Sequence, residues 1–214
     1  MSRLDIKICG LSTADTIKAA LNGGASHVGF IHFAKSPRHL TPDTLAELSP
    51  LLPPSVKKVG VTVDPDDMTI DALVRSGGLQ VLQLHGKEPP ERVAQLRQRT
   101  GLEVWKVISV KTAADLAAGA AYVGAADMLL YDAKTPEGAA LPGGMGQRFD
   151  WTLLANHRAP LPWGLSGGLD AGNVAEAIRM TGAPLIDVSS GVESAPGVKD
   201  VDKIAAFCKA VSSC

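Results

Sequence analysis

Cysteine is scarce in this chain of 214 residues, occurring at positions 9, 208 and 214 only. An odd, sparse set of thiols excludes a disulfide framework and suits a reducing compartment. Neither sign of charge dominates, because 21 Lys and Arg stand against 22 Asp and Glu for a formal net charge of -1. That balance offers no basic face to nucleic acid and no polybasic contact to a membrane. No uncharged apolar run is long enough to span a bilayer. The opening stretch from Met1 to Lys7 lacks the apolar segment of a secretory signal. The expectation is a cytoplasmic protein. Linkers and low-complexity tracts are missing too, so a single domain over 1–214 is expected. Its 45% hydrophobic content can bury one sizeable core.

What is present is an alternation. Short apolar runs occur at Asp5–Cys9, His27–Phe33, Lys57–Val63, Gln80–Leu84, Val104–Ile108, Asp127–Tyr131, Pro162–Leu165 and Leu185–Val188. Helical patterns follow them at Thr13–Asn22, Pro42–Leu51, Asp66–Ser76, Pro89–Arg99, Thr112–Ala120, Trp151–His157, Asp170–Thr181 and Lys199–Val211. Continuous apolar strands between helices predict a parallel sheet covered on both faces. Eight such units predict an α/β protein with the (β/α)8 TIM-barrel fold. A doubly wound open sheet would carry a glycine fingerprint after its first strand, and Gly10-Leu11-Ser12-Thr13 is not one.

Two glycine turns stand near the C-terminus, Ser166-Gly167-Gly168 and Ser189-Ser190-Gly191. Each follows an apolar run. Glycine lets an anion approach peptide N–H groups closely, and a helix N-terminus behind the turn adds further donors. Turns of this kind after strands 7 and 8 of a barrel form a phosphate cup. Gly167, Gly168, Ser189, Ser190 and Gly191 are its candidate residues; the plain alternative is that the glycines only tighten two turns. The long connection from Lys134 to Gln147 contains Pro136, Gly138, Pro142, Gly143, Gly144 and Gly146. Its length and composition suit a lid or binding loop, or else a surface insertion.

Barrel chemistry sits at the C-terminal strand ends. In order these are Cys9, His32, Asp64, His85, Ser109, Asp132, Ser166 and Ser189. Strand side chains alternate, so Lys7 shares a face with Cys9, Gln83 with His85, and Asp187 with Ser189. Lys7, Gln83, Asp132 and Asp187 are costly inside a barrel unless they pair or serve a site. Cys9 reads as a small buried residue or as a base or nucleophile, with Lys7 favouring its thiolate. Asp132 reads as a turn cap or as a general acid whose pKa desolvation would raise. Arg38 follows Pro37 and could clamp a carboxylate, or remain a solvated loop cation. The five histidines include no pair at helical ligand spacing, and His32, His85 and Asp132 make an incomplete metal set. No metal or other cofactor is expected. Gly164-Leu165-Ser166-Gly167-Gly168 is not a nucleophile elbow.

Several short motifs then fall in one order: Lys7-Ile8-Cys9-Gly10, Lys35-Ser36-Pro37-Arg38, Gln83-Leu84-His85-Gly86, Leu130-Tyr131-Asp132, Gly143–Gly146, Phe149-Asp150-Trp151, Leu165–Leu169, and Asp187–Glu193 with Pro196–Asp200. In this the sequence resembles the phosphoribosylanthranilate isomerase family of tryptophan biosynthesis, over the whole chain. Met145 departs from the threonine frequent in the family's glycine loop. The resemblance implies an Amadori rearrangement of N-(5-phosphoribosyl)anthranilate to 1-(2-carboxyphenylamino)-1-deoxyribulose 5-phosphate. It implies Cys9 as general base and Asp132 as general acid. Arg38, Gln83, His85 and Asp187 join the two glycine turns as expected substrate-binding residues. The expected partner is a small phosphorylated substrate, for a monomer or homodimer. A metal-dependent sugar-phosphate epimerase or a non-catalytic phosphate-ligand sensor would use the same scaffold.

Overall fold

A computed structural model describes residues 4–135 and 141–214. Eight parallel strands close into a barrel in sequence order. They are β1 (Asp5–Cys9), β2 (His27–His32), β3 (Lys57–Thr62), β4 (Val81–Leu84), β5 (Glu103–Val110), β6 (Met128–Ala133), β7 (Trp163–Leu165) and β8 (Leu185–Val188). The helices are α1 (Ala14–Asn22), α2 (Pro42–Leu48), α3 (Asp67–Gly77), α4 (Pro90–Thr100), α5 (Ala113–Ala117), α6 (Val174–Thr181) and α7 (Val201–Ser212). An antiparallel hairpin of β9 (Glu193–Ala195) and β10 (Val198–Lys199) stands between β8 and α7. Among the described residues, no helix is long and apolar enough to cross a membrane.

Local chemistry sets the helix ends. Thr13, Thr41 and Asp66 accept backbone N–H bonds at the starts of α1, α2 and α3. Such caps satisfy donors that the first turn leaves free. Gly78, Gly101 and Gly182 close α3, α4 and α6 in the left-handed conformation.

Strand alternation sorts the core into two sets. Val59, Val61, Val81, Trp105, Val107, Met128, Leu130 and Leu185 cluster with Cys9 inside the barrel. Their neighbours Ile6, Ile8, Val28, Phe30, Leu129, Tyr131, Ile186 and Val188 face the helices. Tyr131 hydrogen-bonds His157 at 2.8 Å, which satisfies its hydroxyl within that outer layer.

Three expectations change. Trp151–His157 is not an α-helix: only Trp151–Leu154 coils, as a 3-10 turn capped by Asp150. Pro160 and Pro162 then push Ala159 and Leu161 towards extended angles ahead of β7. The helix expected from Asp170 begins at Val174, because the Asp170 side chain first closes a turn onto Gly172 and Asn173. Strand β5 continues past Ser109 to Val110. Pro136 and Gly138 of the long connection lie outside the described residues.

His27 lies at the opposite end of β2 from the mouth, against the Trp105 ring at 5.2 Å. Burial lowers its pKa from 6.5 to about 4. The unfolded chain therefore takes up a proton near pH 6.5 that the folded chain refuses. The resulting stability is full above pH 6.5 and is lost as pH falls towards 4. The loss is of order 3 kcal/mol, at about 1.4 kcal/mol for each pH unit between the two values. Urea unfolding at pH 7.5 and 4.5 should show this slope, and His27→Phe should flatten it. Equal slopes in both proteins would remove His27 as the cause.

Candidate active site

The C-terminal strand ends surround a partly open cavity. Of the residues expected there, Cys9, Arg38, Gln83, His85, Asp132, Gly167, Gly168, Asp187, Ser189 and Ser190 all line it. Gly191 lines the groove immediately beside it. His32 does not join them: its Nδ1 bonds the Leu40 carbonyl at 2.8 Å and its ring lies against His39. Asp64 is also absent, its carboxylate accepting from the Lys87 N–H at 2.7 Å.

The β1–β8 register sets Lys7 opposite Asp187. Both are buried, and Lys7 Nζ donates to Asp187 Oδ1 at 2.9 Å. Burial opposes the Lys7 charge, but Asp187 and Cys9 together outweigh it and hold the ammonium above the ordinary lysine range. A side chain at Gly29 of β2 would collide with Cys9 Sγ and crowd Lys7 Nζ, so glycine there makes room for the pair. Burial pushes the Cys9 thiol up, while Lys7 draws it down and Asp187 pushes it up again. The expected stabilisation of the thiolate by Lys7 is thus not what prevails. The cation is already committed to Asp187, and Cys9 rests on the thiol side.

On β6, Asp132 Oδ1 accepts from the Ala133 N–H at 2.8 Å. His85 Nε2 lies 3.2 Å from Asp132 Oδ2, within reach of its charge but out of line for a hydrogen bond. Gly143 of the long loop packs onto both, since a side chain there would meet Asp132 Oδ2 and His85 Cε1. Gln83 is buried, and its Oε1 has no partner among the described residues. A buried acceptor of this kind is costly unless a ligand completes it.

Gly167 has φ +93°, and a side chain there would strike Asp132 Oδ1 and the Ala133 nitrogen. Glycine therefore brings the β7 turn against the acid. A Cβ at Gly191 would run into the Leu169 carbonyl oxygen, so the β8 turn closes directly on the β7 turn. Among the described residues, no α-helix begins directly behind either turn. A 3-10 turn over Ser190–Val192 follows the second, and Asp170–Asn173 separates the first from α6.

Arg38 is not a free fork. Its Nε and Nη2 donate to Glu193 Oε1 and Oε2 at 2.6 and 2.7 Å. Lys199 reaches the same carboxylate at 2.7 Å. Sequence reading left Glu193 and Lys199 without roles. The Pro196-Gly197 turn signal between them could have revealed a hairpin that sets Glu193 opposite Lys199.

The family model described as N-(5'phosphoribosyl)anthranilate (PRA) isomerase matches residues 6–210. An N-(5'-phosphoribosyl)anthranilate isomerase of Paramagnetospirillum magneticum is 53% identical over 207 residues, covering 97% of this chain and 96% of the relative. The crystal structure of the Thermotoga maritima phosphoribosyl anthranilate isomerase matches with a TM-score of 0.87 at 34% identity, covering 99% of this chain and 100% of that one. A structure of such an isomerase in complex with reduced 1-(o-carboxyphenylamino)-1-deoxyribulose 5-phosphate matches with a TM-score of 0.85 at 32% identity, with 99% and 100% coverage. Sequence, barrel and mouth agree, and the chain belongs to the N-(5'-phosphoribosyl)anthranilate isomerase family.

Proposed function

We propose that this chain converts N-(5-phosphoribosyl)anthranilate to 1-(2-carboxyphenylamino)-1-deoxyribulose 5-phosphate, a step of tryptophan biosynthesis, by general acid–base catalysis. The observation that carries the reading is the shared cavity: Cys9 on β1, Asp132 on β6, the glycine turns after β7 and β8, and Arg38 all border one space. A thiol, a carboxyl, an anion cup and a guanidinium match the groups that this substrate presents.

Asp132 protonates the ribose ring oxygen as the C1–O bond breaks. The nitrogen lone pair forms the C1=N bond of a cationic Schiff base. That cation acidifies the hydrogen on C2. Cys9, as thiolate, removes it, and the C–H electrons form the C1=C2 bond of an enolamine while the iminium nitrogen is neutralised. Tautomerisation then yields the ketone. Lys7 sits beside the thiolate when it forms, and Gln83 Oε1 accepts from a sugar hydroxyl. The turns at Gly168 and Ser190–Gly191 receive the phosphate, and Nη1 of Arg38 receives the anthranilate carboxylate. This use of backbone and fixed side chains holds the reacting centre between acid and base.

The direct test is turnover of enzymatically generated phosphoribosylanthranilate, followed by loss of its anthranilate-type fluorescence. Loss of signal above the spontaneous decay supports the reading, and a rate equal to that decay overturns it. Arg38→Ala should lower kcat/KM by about 2–3 kcal/mol, the worth of a charged hydrogen bond. Arg38→Lys should recover little, because it keeps charge without fork geometry. Kinetics of Arg38→Ala within about twofold of wild type would make it a bystander.

A further inference from the structure

Glu193 is a carboxylate at the mouth for which the reaction steps have no use. It accepts four donors: Arg38 Nε at 2.6 Å, Arg38 Nη2 at 2.7 Å, Lys199 Nζ at 2.7 Å and the Gly197 N–H at 3.3 Å. The side chains of Arg38, Glu193 and Lys199 are only 4, 4 and 1% exposed. Burial opposes the Glu193 charge, but hydrogen bonds from Arg38 and Lys199 outweigh it and hold the carboxyl below the ordinary glutamate range. Burial draws Lys199 below the ordinary lysine range, and Glu193 counters that. Such a cluster is costly to assemble in a low dielectric, and one lost member leaves an uncompensated charge.

The geometry has two effects on Arg38. First, it uses up one edge of the guanidinium. Nε and Nη2 hold Glu193, and Nη2 also donates to the Gly144 carbonyl at 3.1 Å. Of five guanidinium N–H groups, the pair on Nη1 is left for a ligand. Second, pairing with Glu193 alone would cancel the positive charge. Lys199 makes the unit two cations to one anion, with net charge +1. Lys199 is itself fixed by the Ser189 carbonyl at 2.8 Å and hydroxyl at 3.2 Å. Lys203 ties down the Glu193 carbonyl at 2.7 Å.

We propose that Glu193 and Lys199 are positioning residues for recognition of the substrate's carboxylate: Glu193 fixes the edge of Arg38 that faces the cavity, and Lys199 restores the positive charge that this pairing removes. The proposal rests on the reading of Arg38 as the carboxylate-binding residue.

The test measures, by calorimetry, reduced 1-(o-carboxyphenylamino)-1-deoxyribulose 5-phosphate and its counterpart without the ring carboxylate. Both are titrated into wild type, Glu193→Gln, Lys199→Met, Lys199→Arg and Arg38→Ala. Wild type should prefer the carboxylated ligand by about 30–100-fold, as expected for a charged hydrogen-bonded contact. In Glu193→Gln and Lys199→Met the ratio should fall to about fivefold or less, while the ligand without the carboxylate binds within about threefold of wild type. Lys199→Arg keeps the charge and should restore part of the ratio. If both ligands weaken equally and the ratio survives, the two residues serve only the fold and the proposal is overturned. If Arg38→Ala leaves the ratio intact, the reading of Arg38 itself fails. Should Glu193→Gln not fold, the Lys199 variants decide alone.

Discussion

Cys9→Ala is expected to lower turnover by about three orders of magnitude, the middle of the range for a lost general base. Inorganic phosphate should still compete in the variant, because its turns lie on β7 and β8. Asp132→Asn should be comparably damaging, since an amide of the same shape has no acidic proton to transfer to the ring oxygen. The double variant should be little worse than the worse single one, as both groups serve one sequence of transfers. The state of the resting thiol adds a sign. Burial holds Cys9 above the ordinary cysteine value. Below that pKa the thiolate fraction grows tenfold per pH unit, but Asp132 must keep its proton in the same sequence of transfers, so kcat/KM should follow a bell-shaped profile. Lys7→Met removes the cation beside the sulfur and should displace the limb that reports Cys9 to higher pH. Iodoacetamide gives a separate check: exposed Cys214 should react fast, and buried Cys9 slowly. Wild-type turnover by Cys9→Ala would remove the thiol from the mechanism.

Gly191→Ala should raise KM by about a hundredfold, the penalty of misplacing a binding group by about 1 Å. Its Cβ would overlap a backbone oxygen, that of Leu169. Neither main chain can absorb this by a rotamer change, so the β7 and β8 turns must separate. The inhibition constant of inorganic phosphate should rise in parallel. An unchanged phosphate constant beside a lowered melting temperature would show that the glycine serves packing alone.

The sequence showed the barrel because its signals are local and periodic. Eight apolar runs were legible, and the strand ends pointed to Cys9, His85 and Asp132 directly. Three things were not legible, for two reasons. Trp151–His157 has a helical pattern, but only Trp151–Leu154 coils, as a 3-10 turn. The charge on Cys9 depends on a sum that no single motif contains: Lys7 is two positions away, whereas its neutralising partner Asp187 is 180 residues from the lysine. Glu193 escaped for the same reason, since its value lies in reaching Arg38, 155 positions earlier.

The Lys7–Asp187 bond also has a kinetic meaning. It joins the first strand to the last, at the seam where β1 meets β8. Closing so long a loop is entropically slow relative to forming helices or adjacent strand pairs. During refolding, Cys9 therefore stays reactive until the seam seals, even with most helices in place. Protection of Cys9 from alkylation and the return of turnover should share one rate constant, later than the recovery of helical signal. Ended before β8, the chain would still contain Cys9, Arg38 and Asp132, yet the first strand would pair on the β2 side alone and its lysine would lose Asp187.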